Sequence, residues 1–174
     1  MKSAASLART AIIAALYAVC TVAIAPFSYG TVQFRIAECL CILAFFYKEA
    51  VVGLTVGCLI ANIFSPSGAI DMVLGTFATL VAVILSRVTY RAIKNKTVGF
   101  IVGSLFPVII NALLVPIAIL VASPEAGSYI IVALQVGFGE AVVIYTLGLA
   151  LYLCLMRLFS KGVLKPEDGF LSGN

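Results

Sequence analysis

The sequence predicts an all-α integral membrane bundle of six helices, with both termini on the cytoplasmic side. Three observations carry this. Of 174 residues, 63% are hydrophobic and 10% are charged, against about 45–50% and about 25% in soluble domains. The apolar residues fall in runs separated by short turns, and six crossings of about 20 residues nearly use up the chain. Lysine and arginine gather in alternate loops, as the excess of positive charge on the cytoplasmic side requires.

The first segment runs from about Leu7 to Ala25 and stops at Pro26, which cannot continue a helix. Its start resembles a secretory leader, but Pro26 after Ala23-Ile24-Ala25 disfavours cleavage, so it is read as a retained helix. A turn-rich loop, Phe27 to Phe34, follows. The second segment spans Ile36 to Tyr47 and the third Ala50 to Phe64. The second is short for a crossing, and charge decides how it is read. With six crossings, ten of the eleven basic residues lie inside (Lys2, Arg9, Lys48, Arg87, Arg91, Lys94, Lys96, Arg157, Lys161, Lys165), and only Arg35 lies outside. With five, the Arg87–Lys96 cluster and the C-terminal cluster fall on opposite sides.

Ser65-Pro66-Ser67-Gly68 breaks the chain before the fourth segment, Ile70 to Val88. The fifth runs from Val98 to Val121 and the sixth from Tyr129 to Phe159. Residues 1–160 thus make one transmembrane domain, and 161–174 a polar cytoplasmic tail. The chain has no room for a soluble catalytic or nucleic-acid-binding domain. The five cysteines lie in apolar runs without a CxxC pair or any histidine, so they are read as packing residues, with no metal site. Neither a nucleophile motif nor a phosphate loop is present, so the sequence predicts no enzyme, no cofactor and no ATPase within this chain.

Ionisable groups are expensive in hydrocarbon and mark function by default. Here they gather toward the outer half. Gln33 lies in the outer loop, and Arg35 and Glu38 begin the second segment. Asn62 ends the third, Asp71 starts the fourth, and Asn111 and Glu140 lie deeper in the fifth and sixth. This asymmetry predicts a pocket open to the outside that binds a small polar molecule. Asp71, Gly75, Ala78, Ala82 and Ser86 recur at spacings of three and four, giving the fourth helix one small, polar face. Gly53, Gly57 and Ala61 form a close-packing stripe on the third. Arg35 and Glu38 stand three apart and can pair.

Several runs carry a resemblance. Arg9-Thr10-Ala11-Ile12-Ile13-Ala14-Ala15-Leu16 resembles the first helix of the S components of energy-coupling factor (ECF) transporters. Pro26 to Glu38, Gly53 to Pro66, and Asp71 with Gly75-Thr76 are similar to the QueT-type S components, and the likeness extends from Arg9 to Leu155. It implies a substrate-binding subunit for a queuosine precursor such as preQ1, 7-aminomethyl-7-deazaguanine. It also implies two kinds of partner: the transmembrane coupling protein EcfT and two cytoplasmic ATPases. An alanine pair on the first helix would meet the coupling protein. Ala11 and Ala15 match best, with Ala14 and Ala18 as the alternative.

The chemistry suits such a guest. Carboxylates accept hydrogen bonds from a guanine-like edge and pair with an ammonium. Glu38, Asp71 and Glu140, with Gln33, Arg35, Asn62 and Asn111, supply that inventory, and Phe27, Tyr29, Phe34 and Phe64 offer rings for stacking or gating. The loops around Tyr29, Ser67 and Gly127 would cover the ligand. An S component for another vitamin or nucleobase, or a stand-alone carrier, are the alternatives. The absence of an internal repeat weighs against a stand-alone carrier.

Overall fold

The computed structural model describes residues 4–29 and 32–166. Lys2, Gly30, Thr31 and residues 167–174 of the expected tail lie outside the described residues. Every described element is helical. The long helices are α1 (Ala4–Ala23), α5 (Gly68–Ala92) and α6 (Lys96–Ala122). A short turn, α2 (Ala25–Ser28), follows α1. Helices α7 (Tyr129–Val143) and α8 (Leu149–Ser160) are joined by a π-helical turn, Ile144–Gly148, into one continuous rod. Four helices, counting that rod once, are long and apolar enough to cross a bilayer.

The second and third segments differ from expectation. Ile36–Ile42 winds as a 3-10 helix, and only α3 (Leu43–Phe46) is α-helical. At about 2.0 Å per 3-10 residue and 1.5 Å per α residue, this piece rises roughly 20 Å, short of the roughly 30 Å hydrocarbon core. Helix α4 (Glu49–Asn62), with 14 residues, rises about as far.

The large apolar side chains left outside identify the surroundings. Val73, Phe77, Ile130, Leu134 and Phe138 are exposed on α5 and α7. Patches of this extent are rare on proteins in water and ordinary against lipid tails.

Inside, packing follows small residues. A Cβ on Gly57 would meet the Ala14 carbonyl oxygen at 2.7 Å, and one on Gly53 would meet that of Thr10 at 2.9 Å. Helices α1 and α4 therefore touch backbone to backbone, and dispersion and close fit hold them where the hydrophobic effect cannot. Ala14, at that contact, and Ala18 are buried, whereas Ala11 and Ala15 are exposed. Helix α5 buries Asp71, Gly75, Ala78, Ala82 and Ser86, the face its spacing predicts. Pro107 lies buried inside α6, where it has no N–H to give the carbonyl four residues back. That carbonyl, of Gly103, accepts instead from Ser86 Oγ at 2.8 Å, which ties α5 to α6.

At one end an aromatic cluster fills the core. Phe45 stacks on Tyr90 at 4.2 Å between ring centroids, and Phe46, Phe100 and Tyr152 surround the pair. Asn95 caps α6, its Oδ1 accepting from the backbone N–H of Thr97 and Val98. Arg9 and Glu49 pair at 3.6 Å between α1 and the start of α4. Glu49 is buried, an acid that hydropathy alone places at the rim.

Candidate functional site

At the other end the polar side chains converge. Gln33, Arg35, Glu38, Asn62, Asp71, Asn111 and Glu140 are each at most 3% exposed. They come from the 32–35 segment, the 3-10 helix, and α4, α5, α6 and α7. What brings the first of these segments against α7 is Gly139. A Cβ there would lie 2.2 Å from the Gln33 carbonyl oxygen, so only glycine lets that backbone pass.

Two linked groups form. In the first, Arg35 sits at the centre. Its Nη2 lies 3.9 Å from Asp71 Oδ2 and its Nη1 donates weakly to Cys58 Sγ, 4.0 Å away. Its guanidinium lies over the Tyr29 ring, 5.7 Å from the centroid. Ser65 Oγ donates to Asp71 Oδ2 at 2.6 Å, and Asn62 Nδ2 donates to the Asp71 backbone carbonyl at 3.0 Å. Tyr29 donates its hydroxyl to the Ala61 carbonyl at 2.6 Å. Burial, with the charge of Asp71, holds the Tyr29 phenol above its ordinary pKa against the pull of Arg35.

In the second group, Glu38 accepts from the Tyr17 hydroxyl through Oε1 and from the Cys41 thiol through Oε2, the latter at 3.0 Å. Glu140 Oε1 accepts from Asn111 Nδ2 at 3.1 Å. Glu140, Glu38 and Arg35 lie close enough to interact electrostatically, which joins the two groups. Of the three carboxylates, Asp71 alone lies within ion-pair distance of the guanidinium.

The cluster does not satisfy itself. Gln33 Oε1, Arg35 Nε and Nη2, Asn62 Oδ1, Asp71 Oδ1 and Glu140 Oε2 are buried without a hydrogen-bond partner in the protein, as is Ser28 Oγ. Each such group forfeits about 1–3 kcal/mol unless something meets it.

A family model described as QueT transporter matches residues 7–157. The chain belongs to the QueT transporter family. It is a multi-pass protein of the plasma membrane. The Queuosine precursor transporter QueT of Lactococcus lactis subsp. cremoris (strain MG1363) is 37% identical over 87 residues, which cover 49% of this chain and 51% of that protein. The chain therefore spans about half the length of this curated relative. No solved structure matches.

The aromatic residues of this QueT-family chain divide. Tyr29 joins the cluster, whereas Phe27 and Phe64 are exposed, projecting outward at 65% and 62%. The α2 turn buries Ser28 and so turns its neighbour Phe27 away. Phe64 instead borders an apolar groove with Ala18, Val19, Val22 and Ala23. Phe34 packs edge-on against Phe138 at 6.4 Å.

Other members of the site escape sequence reasoning. Tyr17 is fully buried and donates to Glu38. Cys58 meets Arg35, Asn62 and Thr79 through its sulfur, and Cys41 donates to Glu38, so these two thiols do more than pack. For Tyr17 a signal exists: a hydroxyl midway along an alanine-rich span needs an acceptor deep in the bundle.

Proposed function

We propose that this chain is the substrate-binding S component of an ECF-type importer and captures a preQ1-like 7-deazaguanine from outside the cell. In this reading Ile36–Phe46 and α4 act as short second and third crossings, giving six in all with both termini inside. The basic Arg87–Lys96 stretch and Arg157, Lys161 and Lys165 then face the cytoplasm.

One observation supports the ligand most: the buried, unpartnered oxygens and guanidinium nitrogens that the 32–35 segment, α4, α5 and α7 contribute. Retaining such groups in hydrocarbon is costly unless a polar guest completes them. The balance of charge suggests the kind of guest. Glu38, Asp71 and Glu140 outnumber Arg35, so a cation relieves the excess and an anion aggravates it. A flat heterocycle with an amidine-like edge and an ammonium matches. A carboxylate such as Glu140, steadied by Asn111, accepts from the ring N–H and amino group. Gln33, Asn62 and Arg35 serve the remaining ring atoms, and Tyr29 closes over the face. Ser65, held to Asp71, sits in the loop before α5 that would form part of the cover.

On α1, Ala11 and Ala15 present an exposed small-residue stripe suited to the coupling protein EcfT. Ala14 packs against α4 and Ala18 is buried, so this pair is less available to a partner. Energy comes from the two partner ATPases, and the loaded subunit reorients when EcfT engages α1.

Calorimetric titration of the purified chain tests the reading, with preQ1, guanine, thiamine and riboflavin compared. Saturable binding with preQ1 tightest supports it. Preference for thiamine or riboflavin, or no binding of either 7-deazaguanine or guanine, refutes it.

A further inference from the structure

Glu38 differs from the other two acids of the site. Both its oxygens are already engaged, by the Tyr17 hydroxyl and the Cys41 thiol. Both donors are neutral and fully buried. Among the described residues no cation lies within ion-pair distance of Glu38; Arg35 is closest to Asp71. Glu140 and Asp71, by contrast, each keep one oxygen without a partner. Glu38 is thus a carboxylate fixed in direction with no ion-pair partner of its own, beside the groups that would read a ring edge.

We propose that Tyr17, with Cys41, is a positioning residue for cation recognition: the pair holds Glu38 as the counter-charge to the ligand's ammonium. This rests on the reading of the site as a 7-deazaguanine receptor and adds which acid meets the charged arm. The helix that carries Tyr17 makes it apt for the role. Gly57 lets α1 approach so closely that its own Cβ would lie 2.8 Å from that of Tyr17. The base of the Tyr17 side chain is thereby packed against α4, and the residue is fully buried. A hydroxyl on a side chain this confined directs the carboxylate it bonds.

The test compares two ligands that differ only at the arm: the 7-aminomethyl compound, a cation and donor, and 7-cyano-7-deazaguanine, a neutral acceptor. Binding of each to the full chain is measured for the parent, Tyr17→Phe, Cys41→Ala and Cys41→Ser. The parent should favour the cation. Tyr17→Phe should lower that preference by about tenfold, the worth of a hydrogen bond to a charged group, because the cation loses more affinity than the neutral compound does. Cys41→Ala should act in the same direction, and Cys41→Ser, which keeps a donor, should restore the preference. A Tyr17→Phe protein that loses affinity for both ligands equally, or for neither, overturns the proposal. So does a parent that binds both compounds equally, although that result leaves the receptor reading standing. A parent that binds neither overturns both. Should Tyr17→Phe fail to fold, the Cys41 pair decides: equal effects of alanine and serine refute the positioning role.

Discussion

Replacing Gly139 with alanine should damage ligand binding more than it damages the fold. The added Cβ would lie 2.2 Å from the Gln33 carbonyl oxygen and 2.8 Å from its carbonyl carbon, where ordinary contact begins at 3.4 Å. Either the 32–35 segment or α7 must retreat by about 1 Å, an overpacking that costs about 1–3 kcal/mol. In the unliganded protein, alanine's better helix propensity returns about 1 kcal/mol, so melting should shift little. The ligand receives no such compensation. It needs Gln33 and Arg35 on one side and Glu140 on the other, and the retreat separates them. Affinity should therefore fall by about tenfold or more. Calorimetry and thermal melting of the purified variant measure the two effects side by side. A Gly139→Ala protein that binds preQ1 within about twofold of the parent refutes the claim that this close approach assembles the site.

Further substitutions test separate links. Glu140→Gln keeps an acceptor for Asn111 but removes the charge beside the free Oε2, and should weaken preQ1 binding by about 1–3 kcal/mol, read by calorimetry. Ala15→Trp, on the exposed stripe, should abolish uptake in vesicles carrying EcfT and the ATPases yet leave binding to the isolated subunit intact. Ala14→Trp should instead fail at folding, seen as loss of a monodisperse species in detergent, because α4 backbone occupies the needed space. Ser86→Ala should lower unfolding stability by about 1–3 kcal/mol, since it deprives the Gly103 carbonyl, already freed by Pro107, of its donor.

Much of the architecture is legible in the sequence because hydrocarbon imposes long apolar runs, and α1, α5, α6 and the α7–α8 rod follow them closely. The polar set is legible for the same reason: a buried Asp71 or Glu140 stands out where few charges occur. The winding of Ile36–Ile42 is not legible. A seven-residue stretch that is apolar but for Glu38 fits either an α or a 3-10 helix, and contacts with the π-turn, where Gly148 abuts Ile42, come from more than 100 residues away. The directions of Phe27 and Phe64 depend on one short turn and one helix end, whose φ and ψ no periodicity encodes. Tyr17 meets Glu38 across 21 residues of sequence, a pairing invisible to local pattern. Ala11 with Ala15 and Ala14 with Ala18 look alike as strings; the approach of Gly57 to Ala14 and the burial of Ala14 and Ala18 distinguish them.

The most direct measurement is a structure of this chain with 7-aminomethyl-7-deazaguanine bound. The account predicts the heterocycle between Arg35, Asp71 and Glu140, with Glu140 Oε2 and Asp71 Oδ1 both newly paired to it or to groups it orders, and the ammonium toward Glu38. A ligand seated elsewhere, or these same atoms paired only with one another around a closed, ligand-free core, would contradict it.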